Sequence, residues 1–106
     1  MTTECKYANH YGWTDITPYE IVKHVSDNTL EIRRMKAERC GDWTPEFVRG
    51  GFSTICVNQT DQRWFITSDS EEPVLRIRRH KDGRWYHRQS LFRLAVEPIY
   101  FYDYNF

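Results

Sequence analysis

Short strand-forming runs, each closed after a few residues by turn-forming ones, are what most restrict the fold open to this sequence. Residues 19–25 and 29–36 are rich in β-branched and long side chains and flank Ser26-Asp27-Asn28, so they read as a hairpin. Further on, STICVNQ (53–59) and QRWFITS (62–68) flank Thr60-Asp61, while VLRIRRH (74–80) and RWYHR (84–88) flank Asp82-Gly83. Asp-Gly between two such runs is a strong short-range hairpin signal. LFRLA (91–95) and IYFYDYNF (99–106) supply two more strands, broken at Glu97-Pro98. Between them, AERCGDWTPEFVRGGFS (37–53) is rich in Gly and Pro and reads as a long connection with room for one helical turn after Thr44-Pro45. Seven or eight strands without a sustained helical period predict a mainly β fold. The expected architecture is a small antiparallel curved sheet or barrel-like single domain spanning residues 1–106, with one long Gly/Pro-containing loop.

Length and composition bound the function. A chain of 106 residues supports one hydrophobic core, and at 40% hydrophobic content it has no apolar run of the roughly 20 residues a membrane helix needs. The opening MTTECKYANHYGW lacks the basic and apolar regions of an export signal, so a cytoplasmic protein is expected. Cys5, Cys40 and Cys56 include no Cys-x-x-Cys pair and read as reduced thiols, with no metal or cofactor implied. A formal net charge of zero gives no whole-chain pull toward nucleic acid or membrane. The charge is unevenly spread, however. Arg76, Arg78, Arg79, Lys81, Arg84, Arg88 and Arg93 form a basic stretch with Asp82 as its single acid, whereas acids gather in SDSEEP at 68–73.

If Asp82 and Gly83 are the two loop residues, His80 faces Trp85, Arg78 faces His87 and Arg76 faces Gln89 on one basic, aromatic surface. Guanidinium groups there suit phosphate, and Trp85, Phe65 or Tyr86 suit stacking on a base. A solvated face neutralised by Asp69, Glu71 and Glu72 explains the same arginines without a ligand. No Gly-x-Ser-x-Gly, P-loop, His-Glu-x-x-His or Gly-x-Gly-x-x-Gly is present, and RGGFS at 49–53 is a glycine turn. Only His24-Val25-Ser26 has the His-x-Ser/Thr form that a phosphodiesterase would need twice. The residues therefore point to a binder and not to an enzyme.

Five of the last seven residues are aromatic, and at a period of two Tyr100, Tyr102, Tyr104 and Phe106 fall on one side of a strand. Such a tail is expected to be held down, either completing the core or lining a subunit interface.

Taken together, PYEIVKHVSDNTLEIRRMKAE, WTPEFVRGGFS, CVNQTDQRWFITSD, IRRHKDGRWY and FYDYNF resemble a family of small phage and prophage proteins, over nearly the whole chain. Within it the chain is similar to the Thoeris anti-defence sponges. That resemblance implies a phage- or prophage-encoded protein, acting in the bacterial host cytoplasm, which binds a TIR-derived cyclic ADP-ribose isomer (gcADPR) without cleaving it. It also implies cyclic oligonucleotides as further ligands and a dimer or hexamer as the assembly. The residues corresponding to a family pocket are Phe47 and Phe52 in the glycine-rich loop, Asn58 in CVNQ and Arg76 or Arg78 in LRIRR, with Trp85 as a stacking platform. Phe47 and Phe52 as plugs of the core, and Asn58 as a turn cap, are the competing structural roles. GWTDI carries Ile16 where relatives of this kind carry Arg, which puts a basic group at that position in doubt. A nucleic-acid-binding β module, or a protein-binding inhibitor of another host defence component, accounts for the same basic and aromatic content.

Overall fold

The computed structural model describes residues 5–50 and 53–105. Ten strands follow one another: β1 Tyr7–Tyr11, β2 Ile16–Ser26, β3 Thr29–Arg34, β4 Lys36–Arg39, β5 Phe47–Gly50, β6 Ser53–Cys56, β7 Trp64–Thr67, β8 Val74–Arg79, β9 Trp85–His87 and β10 Ser90–Ala95. One 3-10 turn, Gln59–Asp61, precedes β7. Six strands close an antiparallel barrel in the order β1-β10-β9-β8-β3-β2, and two two-stranded ribbons, β4-β7 and β5-β6, stand apart from it. The expected mainly β, barrel-like fold is the one observed.

Alternation fills the barrel. Leu30 and Ile32 on β3 face Ile77 and Leu75 on β8, and Ile32 also faces Ile21 on β2. Ala8 faces Tyr19, and Phe92 faces both His10 and Trp85. Ala8, Leu30, Ile32, Ile77, Trp85 and Phe92 are buried there, with Tyr19, Ile21, Leu75 and Leu94 packed around them. These are directly opposed cross-strand pairs, the unit that stabilises a sheet, and Tyr19 also meets Phe92 edge-on across β1 at 5.2 Å. The β2–β3 hairpin turns at Asp27-Asn28, with register shifts at Ile21/Lys23 and His24/Ser26 that bend β2 around the barrel.

Four local features depart from the sequence reading or add to it. β1, in the segment read only for its lack of an export signal, is a barrel strand paired on both sides. The long 37–53 connection contains β5 and most of β4. STICVNQ and QRWFITS do not pair with each other, since β6 pairs with β5 and β7 with β4. The 99–106 tail is not a strand. Within its described part it has one bridge, Ile16 to Phe101, and a turn at Tyr104-Asn105.

The tail's rings instead build a second, smaller core. Tyr100 meets Trp64 edge-on at 4.4 Å, Tyr104 lies 5.8 Å from Trp43 and 6.1 Å from Phe47, and Trp43 lies 6.3 Å from Trp64. Beyond the Ile16–Phe101 bridge, its backbone bonds to side chains and not to a ladder. Tyr102 N–H donates to Gln62 Oε1 (2.9 Å), Tyr104 N–H to Gln59 Oε1 (2.9 Å), and Gln62 Nε2 donates to the Tyr102 carbonyl (2.9 Å). Upstream, buried Asn9 anchors the same segment: its Nδ2 donates to the Glu97 carbonyl (3.2 Å) and its Oδ1 accepts Ile99 N–H (2.9 Å). Ribbons and tail make an arm on the barrel. The extents are 51 × 32 × 28 Å and the radius of gyration is 16.1 Å, against about 13 Å for a compact chain of this size.

Candidate functional site at the basic hairpin tip

β8 and β9 are joined by three loop residues, not two. His80 N–H donates to the Arg84 carbonyl (2.8 Å) and Gly83 N–H to the His80 carbonyl (2.9 Å), leaving Lys81, Asp82 and Gly83 as the loop. Gly83 occupies the left-handed region at φ 82, the position such loops reserve for glycine. Asp82 Oδ1 accepts Arg84 N–H (2.9 Å) and Oδ2 accepts the Tyr86 hydroxyl (3.3 Å). The Arg84 N–H, with help from Tyr86, holds the Asp82 carboxyl below its ordinary pKa.

The extra loop residue shifts the expected register by one, and a one-residue slip turns every side chain to the other face. Arg79, not His80, faces Trp85, and Arg78 faces Tyr86. Trp85 therefore points into the barrel and is 9% exposed. Tyr86 takes the outer face, its ring 4.4 Å from that of His80.

Two cavities adjoin at Gly83. β9 begins at Trp85, so only Ser90–Phe92 of β10 pair with it and the wall is incomplete beside Arg93 and Leu94. There a cavity of about 320 Å³ is lined by Gly83, Arg84, Trp85, Leu91, Phe92, Arg93 and Leu94. Of this lining Trp85 and Phe92 are buried, at 9% and 3% exposure, and Arg84 and Arg93 are exposed. The Arg93 guanidinium rests 4.8 Å above the Tyr11 ring. Also bordering Gly83, an open hollow of about 380 Å³ is lined by Asn28, Arg79, His80, Lys81 and Gly83. Asn28 orients this second cavity, because its Oδ1 accepts Arg79 Nε–H (3.1 Å) and its carbonyl accepts Arg79 N–H (2.9 Å).

Among the described residues expected to form a pocket, Trp85 alone lines either cavity. Arg76 lies on the outer face and pairs with Glu31 at 3.1 Å, not with the acids of 68–73. Arg78 is also exposed, opposite Thr29 and Tyr86. Phe47 and Asn58 belong to the arm: Phe47 is 50% exposed on β5, and Asn58 ties a loop. Its Oδ1 accepts Glu46 N–H (2.7 Å) and its Nδ2 donates to the Thr44 carbonyl (2.8 Å). Phe52 lies outside the described residues. Asn28, Arg79, His80, Lys81, Arg84, Phe92 and Arg93 were not singled out as pocket residues, although Arg79, Lys81, Arg84 and Arg93 belong to the basic stretch. The signal that finds them is glycine at the third loop position, which marks a three-residue loop.

No nucleophile lies in either cavity beside a base with an orienting partner. Among the described residues no three of His, Cys, Asp and Glu come together as a metal site. No protein-family model, curated protein or solved structure matches the chain.

Proposed function

We propose that the protein binds a phosphate-bearing nucleotide without turning it over, its ligand being a cyclic nucleotide signal of the cyclic ADP-ribose class. One observation supports this above others: a hollow lined by Trp85, Phe92, Arg84 and Arg93 shares Gly83 with a basic hollow lined by Arg79, His80 and Lys81. A base face calls for the first and a pyrophosphate for the second. The phage setting, host cytoplasm, capture of the signal against bacterial immunity and the oligomeric assembly come from the sequence resemblance. To test the reading, the protein is mixed with the TIR-derived cyclic ADP-ribose isomer, freed of unbound solute and heat-denatured, and what it releases is identified by mass. Intact ligand in fixed proportion to protein is expected. Arg84→Ala and Arg93→Ala each remove a charge-assisted contact and lower affinity by roughly 10- to 100-fold. Recovery of cleaved product, or wild-type affinity in both variants, would sink the proposal.

The exposed row of Arg76 and Arg78 beside Tyr86, running on from the tip, favours a second reading as a single-stranded nucleic-acid binder. That reading requires affinity that grows with strand length and falls steeply with salt.

A further inference from the structure

The arm carries an unfinished sheet. Val57 N–H donates to the Glu46 carbonyl at 2.9 Å, so Glu46 and Val57 face each other at a hydrogen-bonded position at the mouth of the β5–β6 ribbon, with the Glu46 N–H taken by Asn58 Oδ1. Antiparallel pairs alternate, so the next pair, Phe47 with Cys56, turns its N–H and C=O groups outward, as does Arg49 with Thr54. On β6, Asn105 takes both groups of Cys56: Cys56 N–H donates to Asn105 Oδ1 (2.6 Å) and Asn105 Nδ2 donates to the Cys56 carbonyl (2.9 Å). On β5, the outward groups of Phe47 and Arg49 lie on an edge that no strand of the described residues pairs with. The β6 edge is capped at Cys56 by Asn105, and the β5 edge is unpaired among the described residues.

Its side chains are as unfinished as its edge. Val48, Ile55 and Val57 alternate onto one face and are 49%, 44% and 54% exposed. Glu46, opposite Val57 at the mouth of the ribbon, is the charged residue that shares this face. A two-stranded ribbon this short is marginal by itself, whereas three or more strands with an apolar face are stable.

We infer that the β5 edge pairs with the β5 edge of a second copy of this chain, about a two-fold axis at Val48. Antiparallel pairing there sets Phe47 opposite Arg49 of the second copy, and the reverse. These are the residues whose backbone groups point outward, so four hydrogen bonds form and none of those groups is left over. On one face each Arg49 guanidinium reaches the other copy's Phe47 ring, a cation–π pair. On the other face the two Val48 side chains meet, and Ile55 and Val57 extend the aliphatic strip across a four-stranded sheet. Neighbouring registers are worse. An axis at Phe47 opposes Arg49 to Pro45, which has no N–H, and an axis at Arg49 opposes two guanidinium groups. The edge is self-complementary in the sense a two-fold contact requires. The inference is independent of the hairpin tip.

Sedimentation velocity of the intact chain tests it first: the mass should rise with concentration from 12.9 kDa toward twice that value. Arg49→Pro deletes an outward N–H without touching the β5–β6 ladder, and should leave a monomer with unchanged circular dichroism. Val48→Cys should form a disulfide across the axis on mild oxidation, because opposed β-carbons lie about 4.5–5.5 Å apart. Peptide mapping must place that link between the two residues 48, not at Cys5, Cys40 or Cys56. A native chain monomeric at millimolar concentration overturns the inference. So does a dimer that gives no link between residues 48, whatever Arg49→Pro does.

Discussion

Gly83→Ala separates backbone handedness from every other effect at the hairpin tip. An added β-carbon at Gly83 meets nothing within 4 Å, so its cost is conformational and not steric. Holding an L-residue at φ 82 costs roughly 1–2 kcal/mol. For a chain of this size that lowers the melting midpoint by roughly 4–16 °C. The same substitution with D-alanine, made by chemical synthesis, suits a positive φ. It restricts the unfolded chain and should stabilise by about 0.4–1 kcal/mol. Denaturant titration of the three proteins reads the stability. Binding of the cyclic ADP-ribose isomer reads the function, because Gly83 lines both cavities: D-alanine should preserve affinity, and L-alanine should lower it by distorting the loop. Equal behaviour of the two enantiomers would show that the left-handed loop does not set the register that buries Trp85.

Asn9→Ala strips partners from the Glu97 carbonyl and the Ile99 N–H together. A loss of roughly 2–4 kcal/mol in urea titration is expected, with faster hydrogen exchange at Phe101 and Tyr102; a loss under about 0.5 kcal/mol refutes the anchoring role. His10 lies inside the wall, 5.1 Å from Phe92, and burial lowers its pKa below 6.5. The folded state therefore binds the proton less readily than the unfolded chain, so stability is full above pH 6.5 and declines as the solution is acidified through that value toward the lower folded pKa. In His10→Gln this part of the decline should vanish from the pH dependence of the melting midpoint, and its persistence would assign the decline to another group. Arg88 holds φ 56 in the β9–β10 turn, so Arg88→Gly should raise stability by roughly 0.5–1 kcal/mol, net of glycine's larger entropy loss. A destabilised variant would mean that the Arg88 side chain outweighs its strain.

The barrel was legible because its strands carry their own punctuation: Asp27-Asn28 and Asp82-Gly83 stop the chain where the sheet turns. β1 was not, since YANHY mixes Ala and Asn with aromatics and shows neither strand composition nor clean alternation. Its Asn9 is buried on the outer face, where a strand pattern calls for solvent, because residues 97–99 cover it. The tail misled in the opposite direction. Its aromatics do alternate as a strand's would, yet Asn105, Gln59 in the 3-10 turn and Gln62 just after it supply the hydrogen bonds a ladder would have given. At the site, a one-residue error in loop length moved Trp85 from the surface to the interior and drew attention from Arg79, Arg84 and Arg93 to Arg76 and Arg78. Composition located the basic stretch. Loop geometry decided which of its members converge.

Because Gln59, Gln62 and Asn105 fasten the tail through side chains, the two ends of the molecule come apart differently. A barrel strand shares its hydrogen bonds with neighbours on both sides and leaves only when the whole ring opens. The tail is buttoned at a few separate points, and each can undo without the others. Heating or denaturant should therefore free residues 100–105 and expose the Trp43–Trp64 cluster while the barrel still stands, so that tryptophan fluorescence changes before the sheet signal does. The protein would then give two transitions, the first belonging to the arm, and a single midpoint would describe neither.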